Sequence, residues 1–382
     1  MPTVLFVVTE DWYFHSHRLT LALEARAAGY IVIVATRCAR HASVLREHGL
    51  EVVDIPFDRS LRRPDRDFAS FRALRRLLHT RRPDLVHAVS LKPILLALAA
   101  APDRSRCIAA FTGLGYIFSS RDRRAAVLRS LVRGWLRHLL RGERAWTLVQ
   151  NADDRTLLAE AGIGSATRTA LIAGAGVDLE AYPCVAEPVA DPPLVLLPAR
   201  LLVDKGVYEF VAAARALLAT GVAVRCVLVG HHDTDNPGAV ATGDLARWQR
   251  DGTVEWWGHR DDMAAVYAAA SVVCLPSYRE GLPKVLLEAG ATGRALVTTD
   301  VPGCRDVVEH GVTGLLVPAR DSDALVSALR ALIADAPLRA RLAGAMRLRV
   351  EQCFDSARIA AETLALYERV WRAARDDDRR RP

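Results

Sequence analysis

Residues 271–299 constrain the fold more than any other stretch of this chain. Ser271-Val-Val-Cys-Leu275 is an apolar run of strand length that stops at Pro276, as a buried strand stops at a loop. A short turn, Ser277-Tyr-Arg-Glu-Gly281, leads to Pro283, whose missing N–H and fixed φ suit a first helical position. Val285, Leu286, Leu287, Ala289 and Ala291 carry a helix onward, Gly293 ends it, and Ala295-Leu-Val-Thr-Thr299 is a second strand. Buried strands joined through a helix run parallel. The stretch is therefore a βαβ unit whose loop lies at the carboxyl end of a strand, where open α/β sheets bind ligands.

Two acids bracket the helix start, Glu280 just before it and Glu288 eight residues on. Glu280, Gly281 and Leu282 sit where the N–H groups of a helix N-terminus can meet a phosphate. N–H groups for a diphosphate and acids for sugar hydroxyls describe a ligand that carries both. On the opposing reading Glu280 is an N-cap carboxylate and Glu288 a solvated helix residue. Spacing alone leaves the two balanced.

A second phosphate feature lies upstream. Residues 194–200 read as a strand and residues 207–218 as a helix, with Arg200 and Lys205 on the loop between them. Gly206 lets backbone approach closely. Arg supplies a planar fork and Lys a point charge, so the pair suits a diphosphate clamp. Residues 224–230 form the next strand, and its exit loop carries Asp233 and Asp235, a spacing that can hold a metal. Because Arg200 and Lys205 already supply positive charge, the expectation is no metal and no cofactor.

The pattern P-S-x-x-E-x7-E with G-x-P-x-V inside it resembles the donor-site signature of retaining, nucleotide-sugar-dependent glycosyltransferases of family four. Asp300-Val-Pro-Gly303, Glu309-His-Gly311 and Thr313-Gly-Leu-Leu-Val317 extend the resemblance, as do Arg200-x4-Lys205 and the hinge-like Ile172-Ala-Gly-Ala-Gly-Val-Asp178. It implies an α/β chain of the GT-B fold, with two Rossmann-like domains facing across a cleft and a C-terminal helix crossing back to the N-domain. The implied boundaries are 1–180 for an acceptor domain, 194–355 for a donor domain, and 356–382 for the crossover helix and a charged tail. By the same resemblance Glu280 orients the transferred sugar, Arg200 and Lys205 hold the diphosphate, and Glu288 holds the ribose. Gly281, Leu282, Pro283 and Val285 line the donor, and Trp257 and Gly258 pack the nucleobase. Many relatives place a histidine on the donor sugar near residue 112. Here Thr112-Gly113 stands instead, which leaves the backbone near Gly113 and Gly115 for that contact. The nucleotide sugar, UDP-linked in most such relatives, is a substrate.

At 382 residues the chain fits two domains. Apolar content of 51% and charge of 25% describe a folded protein. Seven cysteines without a C-x-x-C read as reduced, buried thiols. No apolar run approaches the ~20 residues that span a bilayer, and residues 93–102 read as a buried helix. The start reads as a strand rather than a leader. Residues 1–185 hold 27 Lys and Arg against 18 Asp and Glu, while the remainder holds 24 against 26. A basic front half and a near-neutral back half call for different partners.

In that front half, residues 3–8 form a strand and residues 9–17 a polar-aromatic loop. A helix over 18–28 buries Leu19, Ala22, Leu23 and Ala27. The absence of a Gly-x-Gly-x-x-Gly turn argues against a dinucleotide site. Phe14-His-Ser-His-Arg-Leu19 resembles members that extend lipid-linked or cell-surface glycans, and makes His17 and Arg18 acceptor-side residues; the alternative is helix capping and surface charge. Lys92, at the carboxyl end of the strand over 85–89, and Asn151, at the end of a last N-domain strand, join the acceptor side. His87 reads as a satisfied core histidine. Residues 121–146 form a basic helix with Val127, Leu131, Trp135 and Leu139 on one stripe, which Leu128, Leu136 and Leu140 widen. It suits either an anionic membrane surface or core packing with solvated arginines. No nucleic-acid motif accompanies it. The expected function is retaining transfer of a hexose or N-acetylhexosamine to a polyprenyl-diphosphate-linked glycan, as in O-antigen or capsule synthesis. The expected place is cytoplasmic, peripheral at the inner face of the membrane. A soluble acceptor and a non-catalytic basic binding module are the alternatives.

Overall fold

The chain divides into two units, Met1–Ala175 with Ser356–Pro382, and Gly176–Asp355. The computed structural model describes residues 1–58, 63–102, 105–113, 123–142, 144–189, 191–234 and 236–379, leaving aside the side chains of 123–128 and 374–379. Gly115 and Asp235 lie outside the described residues, as do the side chains of Val127 and of the arginines before it.

The first unit is built on a parallel sheet of β1 (Thr3–Glu10), β2 (Ile31–Arg37), β3 (Glu51–Asp54), β4 (Leu85–Val89), β5 (Arg106–Ala110), β6 (Ala145–Val149) and β7 (Thr169–Leu171). Its order is β3-β2-β1-β4-β5-β6-β7. The second unit carries β8 (Leu194–Pro198), β9 (Arg225–Val229), β10 (Glu255–Trp256), β11 (Val272–Leu275), β12 (Ala295–Thr299) and β13 (Leu315–Val317), in the order β10-β9-β8-β11-β12-β13. Every pairing is parallel. Both sheets thus run outward from a central pair and reverse direction there, between β1 and β4 and between β8 and β11. That reversal is the topological switch point, where the crevice outside the strand ends accepts ligands.

The strands are short apolar runs because both faces of each sheet are covered. Along β1, Leu5 and Val7 enter one core while Val4, Phe6 and Val8 enter the core on the opposite face. The final helix, Ser356–Arg379, contributes Ile359, Ala360, Leu366, Tyr367 and Val370 to that second core. It therefore belongs to the first unit although it follows the second in sequence. Among the described residues no helix is long and apolar enough to cross a membrane. All seven cysteines are free, with Cys184 and Cys353 exposed rather than buried.

Four local expectations need correction. The loop expected over 9–17 is helical, because β1 runs to Glu10 and the helix Asp11–Ala27 follows directly. Its buried face is Asp11, Phe14, Arg18, Leu21, Ala22 and Ala25; two charged members hide the stripe from a reading of apolar residues alone. Residues 145–149 are not the last strand of the first unit, since the three-residue β7 extends the sheet. In the helix Arg123–Leu139, Leu131 and Trp135 are 67% and 46% exposed, while Val132, Leu136 and Leu140 supply the core face. Pro283 is the N-cap of the helix Lys284–Ala291, with extended backbone, rather than its first residue.

Candidate functional site

The second switch point brings together Arg200, Lys205 and Glu280 of the sequence-predicted donor residues. β8 delivers Arg200 and the turn Val203–Lys205; β11 delivers the loop from Pro276 to Pro283. Two glycines let these segments close on one another. Gly206 has φ +72, and a Cβ there would lie 2.1 Å from the Pro276 carbonyl oxygen. Gly303 has φ +81, and a Cβ there would lie 2.6 and 2.7 Å from the Gly281 and Glu280 carbonyl oxygens. Both distances are far inside van der Waals contact, so only glycine fits. Tyr278 adds two ties. Its N–H donates to the Asp204 carbonyl at 2.8 Å, and its hydroxyl donates to Glu209 at 2.6 Å. Burial, followed by the Glu209 carboxylate, pushes the Tyr278 phenol up and keeps it a donor.

Within this frame Lys205 Nζ lies 2.6 Å from Glu280 Oε1, and Ser277 Oγ donates to the same oxygen at 2.6 Å. Both side chains are mostly buried, at 19% and 13% exposure. Arg200 differs: it reaches Asp233 at 3.3 Å and its side chain is 47% exposed. A pair that exposed contributes only about 0–1 kcal/mol, so the guanidinium turns readily toward a phosphate. Asp233, which the spacing offered as a metal ligand, is instead the counter-ion of Arg200. The Glu280 N–H donates to the Pro302 carbonyl at 3.3 Å, so it is not one of the free helix N–H groups expected for a phosphate. Gly281 and Pro283 are buried, and Leu282 and Val285 half-buried, along the same loop.

Glu288 is not a solvated helix residue. It is 6% exposed; Tyr267 donates to its Oε2 at 2.9 Å, and Lys284 Nζ lies 3.0 Å from its Oε1. Burial first, and then the Glu288 charge, pushes the phenols of Tyr267 and Tyr182 up. A carboxylate offers about four lone-pair positions, so two or fewer remain for a ligand hydroxyl. Cys304, fully buried nearby, has its thiol pushed up to about 12 by burial and then by the Glu280 charge. Trp257 and Gly258 follow β10, two strands from β8, roughly 10 Å along the sheet. Trp257 Nε1 donates to Glu255 at 3.0 Å, and the Gly258 carbonyl accepts from Gly230 N–H at 2.8 Å. That offset suits a base held apart from its phosphates.

The remaining predicted residues lie in the first unit and do not form one cluster. Lys92 donates to the Asp58 carbonyl at 2.8 Å and pairs with Asp67 at 2.6 Å, so its charge is matched internally. Asn151 is 1% exposed and caps the helix Ala152–Glu160, accepting from Asp154 N–H at 2.7 Å. His17 stacks on Tyr13 with centroids 4.2 Å apart. Arg18 is 3% exposed rather than a surface charge, and its Nε has no hydrogen-bond partner. Gly113 follows β5 with φ +110. His87 is fully buried with Nδ1 2.7 Å from Tyr367 Oη, but its Nε2 has no hydrogen-bond partner, so this core histidine is only half satisfied. Sequence reasoning assigned no role to Ser277, Tyr182 or Tyr267, and took Asp233 as a metal candidate rather than as the partner of Arg200. Each is an ordinary residue type whose partner lies tens of residues away, except Ser277, three residues from Glu280.

Comparison with known proteins agrees with this geometry. The family described as "Glycosyl transferases group 1" matches residues 192–335, and "Glycosyl transferase 4-like" matches residues 3–142. A Campylobacter jejuni protein, N,N'-diacetylbacillosaminyl-diphospho-undecaprenol alpha-1,3-N-acetylgalactosaminyltransferase, is 27% identical over 91% of this chain and 93% of its own. Among solved structures, sucrose-phosphate synthase from Thermosynechococcus elongatus superposes with a TM-score of 0.82 at 22% identity, covering 98% of this chain and all of its own. Anabaena HepE in complex with UDP-glucose gives 0.75 at 22% identity, covering 96% and 100%.

Proposed function

We propose, from the premise that this chain belongs to the family-four glycosyltransferases of the GT-B fold, that it is a retaining enzyme using a UDP-linked hexose or N-acetylhexosamine and a polyprenyl-diphosphate-linked glycan acceptor. The observation that carries the donor assignment is the convergence of Lys205, Glu280 and the loosely held Arg200 at the second switch point. Two cations there receive the charge that builds on a departing diphosphate, which is where preorganised charge accelerates transfer most. Glu280, fixed by Lys205 and Ser277, orients the sugar hydroxyls. The bond from anomeric carbon to phosphate oxygen breaks as the acceptor oxygen bonds on the same face; the acceptor's proton leaves with the diphosphate. No enzyme nucleophile and no metal are required for this balance.

The C. jejuni relative, named for a diphospho-undecaprenol acceptor, supports the lipid-linked acceptor, and the HepE complex supports UDP. A polyprenyl acceptor lies at a membrane surface. Leu131 and Trp135, exposed on a helix that also carries Arg129, Arg133 and Arg137, suit contact with anionic lipid there. The assignment is tested by thermal shift of the full chain with UDP, GDP and ADP, each with and without Mg²⁺. UDP is expected to raise Tm equally in both conditions, with the shift lost in Lys205→Ala. A requirement for Mg²⁺ overturns metal independence and returns Asp233 to the phosphates. Silence across the panel overturns the donor site.

A further inference from the structure

The residues between the two implied domains fold as part of the second unit, and they reach its donor helix. Arg347 Nη1 donates to the Ala291 carbonyl at 2.6 Å and to the Tyr182 carbonyl at 3.3 Å. One guanidinium therefore ties Tyr182 to the helix Lys284–Ala291, which carries Glu288. Val185 N–H donates to the Thr292 carbonyl at 3.3 Å, just beyond that helix. Arg294, 1% exposed, donates to the carbonyls of Val185 and of Ala270, the second at 3.1 Å. Ala270 follows the helix Met263–Ala268, which carries Tyr267. Arg339 closes the strap by pairing with Glu187 at 2.7 Å. A buried guanidinium persists only where acceptors answer it, so these three arginines hold the strap in one place.

The consequence appears at the carboxylate. Tyr267, fully buried, donates to Glu288 Oε2, and the Lys284 ammonium meets Oε1. The rings of Tyr182 and Tyr267 lie 6.0 Å apart, centroid to centroid, and the Tyr182 hydroxyl is a third donor to the same carboxylate. Burial, then the Glu288 charge, pushes that phenol up, so it stays a donor. Three of about four lone-pair positions are thus filled from within the protein. A ribose presents two vicinal hydroxyls, and a carboxylate with one open position accepts from only one of them.

We propose that Tyr182 and Tyr267 are positioning residues that leave Glu288 a single open position, so that it reads one ribose hydroxyl of the donor nucleotide and not its neighbour. This rests on the donor-site reading above and deepens it. Resemblance gives Glu288 the ribose; the strap and the two phenols decide how much of the ribose is read.

The test is isothermal titration calorimetry on the full chain with UDP, 2′-deoxy-UDP and 3′-deoxy-UDP. For the unaltered chain one analogue should bind about 10- to 100-fold more weakly than UDP, the loss of a hydrogen bond to a charged acceptor. The other should stay within about threefold. Tyr182→Phe removes a donor and opens a second position, so the second analogue should then also fall about tenfold below UDP. A tyrosine that only supports the fold would weaken all three nucleotides by one factor. Should Tyr182→Phe lose its cooperative thermal transition, Tyr267→Phe puts the same question at the other phenol. Equal losses for both analogues in the unaltered chain would mean that Glu288 chelates both hydroxyls, and no loss for either that it reads neither; each overturns the proposal. A uniform factor in the phenylalanine variant overturns the positioning role. If UDP binds and the analogues break the pattern, this proposal alone falls; if UDP does not bind, the donor-site reading falls with it.

Discussion

The two switch points share a topology and differ in what they do with charge. In the second unit Arg200 is half-exposed and loosely paired, and Lys205 is aimed at Glu280 across a seam that only glycine permits; on the reading proposed above these cations are the working groups. In the first unit the corresponding crevice has its lysine tied off by Asp67 and presents aromatic rings and carboxylates instead. One sheet order thus builds two crevices whose strand ends carry different side chains. The strand order decides where a ligand sits; the side chains at the strand ends decide which ligand.

The sharpest way to break this contrast is to exchange the loss of each lysine. Lys205→Ala should lower kcat about 10²- to 10³-fold at saturating donor, a loss far beyond what the Tm decrease from its broken pair with Glu280 explains. Near-full turnover would remove the clamp from the mechanism. Lys92→Met should do the reverse, lowering Tm through the lost pair with Asp67 while sparing turnover and the UDP shift. A large kcat loss in that variant would make the first switch point an anion site after all.

The seam is sharpened by two glycines with the same backbone. Gly206 and Gly221 have φ of +72 and +75, but a Cβ at Gly221 meets nothing within 4 Å. Gly221→Ala should cost about 1 kcal/mol for left-handed strain alone. Gly206→Ala should cost more, up to ~3 kcal/mol, and also weaken UDP binding, because the Pro276 loop must move. Equal Tm shifts and intact UDP binding would mean that the close approach is not what sets the donor loop.

The smallest expected effect concerns His87, near the first crevice but outside it. Burial, then the Arg18 charge, holds its imidazole well below the usual value. The unfolded chain protonates this residue near pH 6.5 and the folded chain does not. Stability is therefore full above that pH and falls as pH drops through it, by at most ~1.4 kcal/mol per pH unit. His87→Gln should flatten the dependence of Tm on pH between 7 and 5. An unchanged slope would place the acid sensitivity elsewhere.

Much of this was legible before any coordinates. β4 was read to the residue at 85–89, because a five-residue apolar run bounded by Asp84 and Ser90 admits little else. The Glu280 loop was placed between a strand and a helix from its Pro and Gly punctuation. The helix over 11–17 was not, since the residues it buries include Asp11, whose carboxylate accepts from the backbone N–H groups of Ala39 and His41, and Arg18. Burial of a charge depends on partners from another part of the chain. The aromatic residues Trp12 and Tyr13 were noticed, but as a loop; the pocket they line needs Asp58 and Ser90, which lie after other strands.

By itself the sequence determined the element order, the parallel βα repeats and which cations and carboxylates are proposed to handle a nucleotide sugar. Those follow from local periodicity, turn chemistry and short motifs. Tertiary structure alone decided that Lys205 faces Glu280, that Glu288 is buried under Tyr267, and that Lys92 is neutralised. Each depends on distance between residues far apart in the chain, and the electrostatic meaning of a charge is set by what lies within a few ångströms of it.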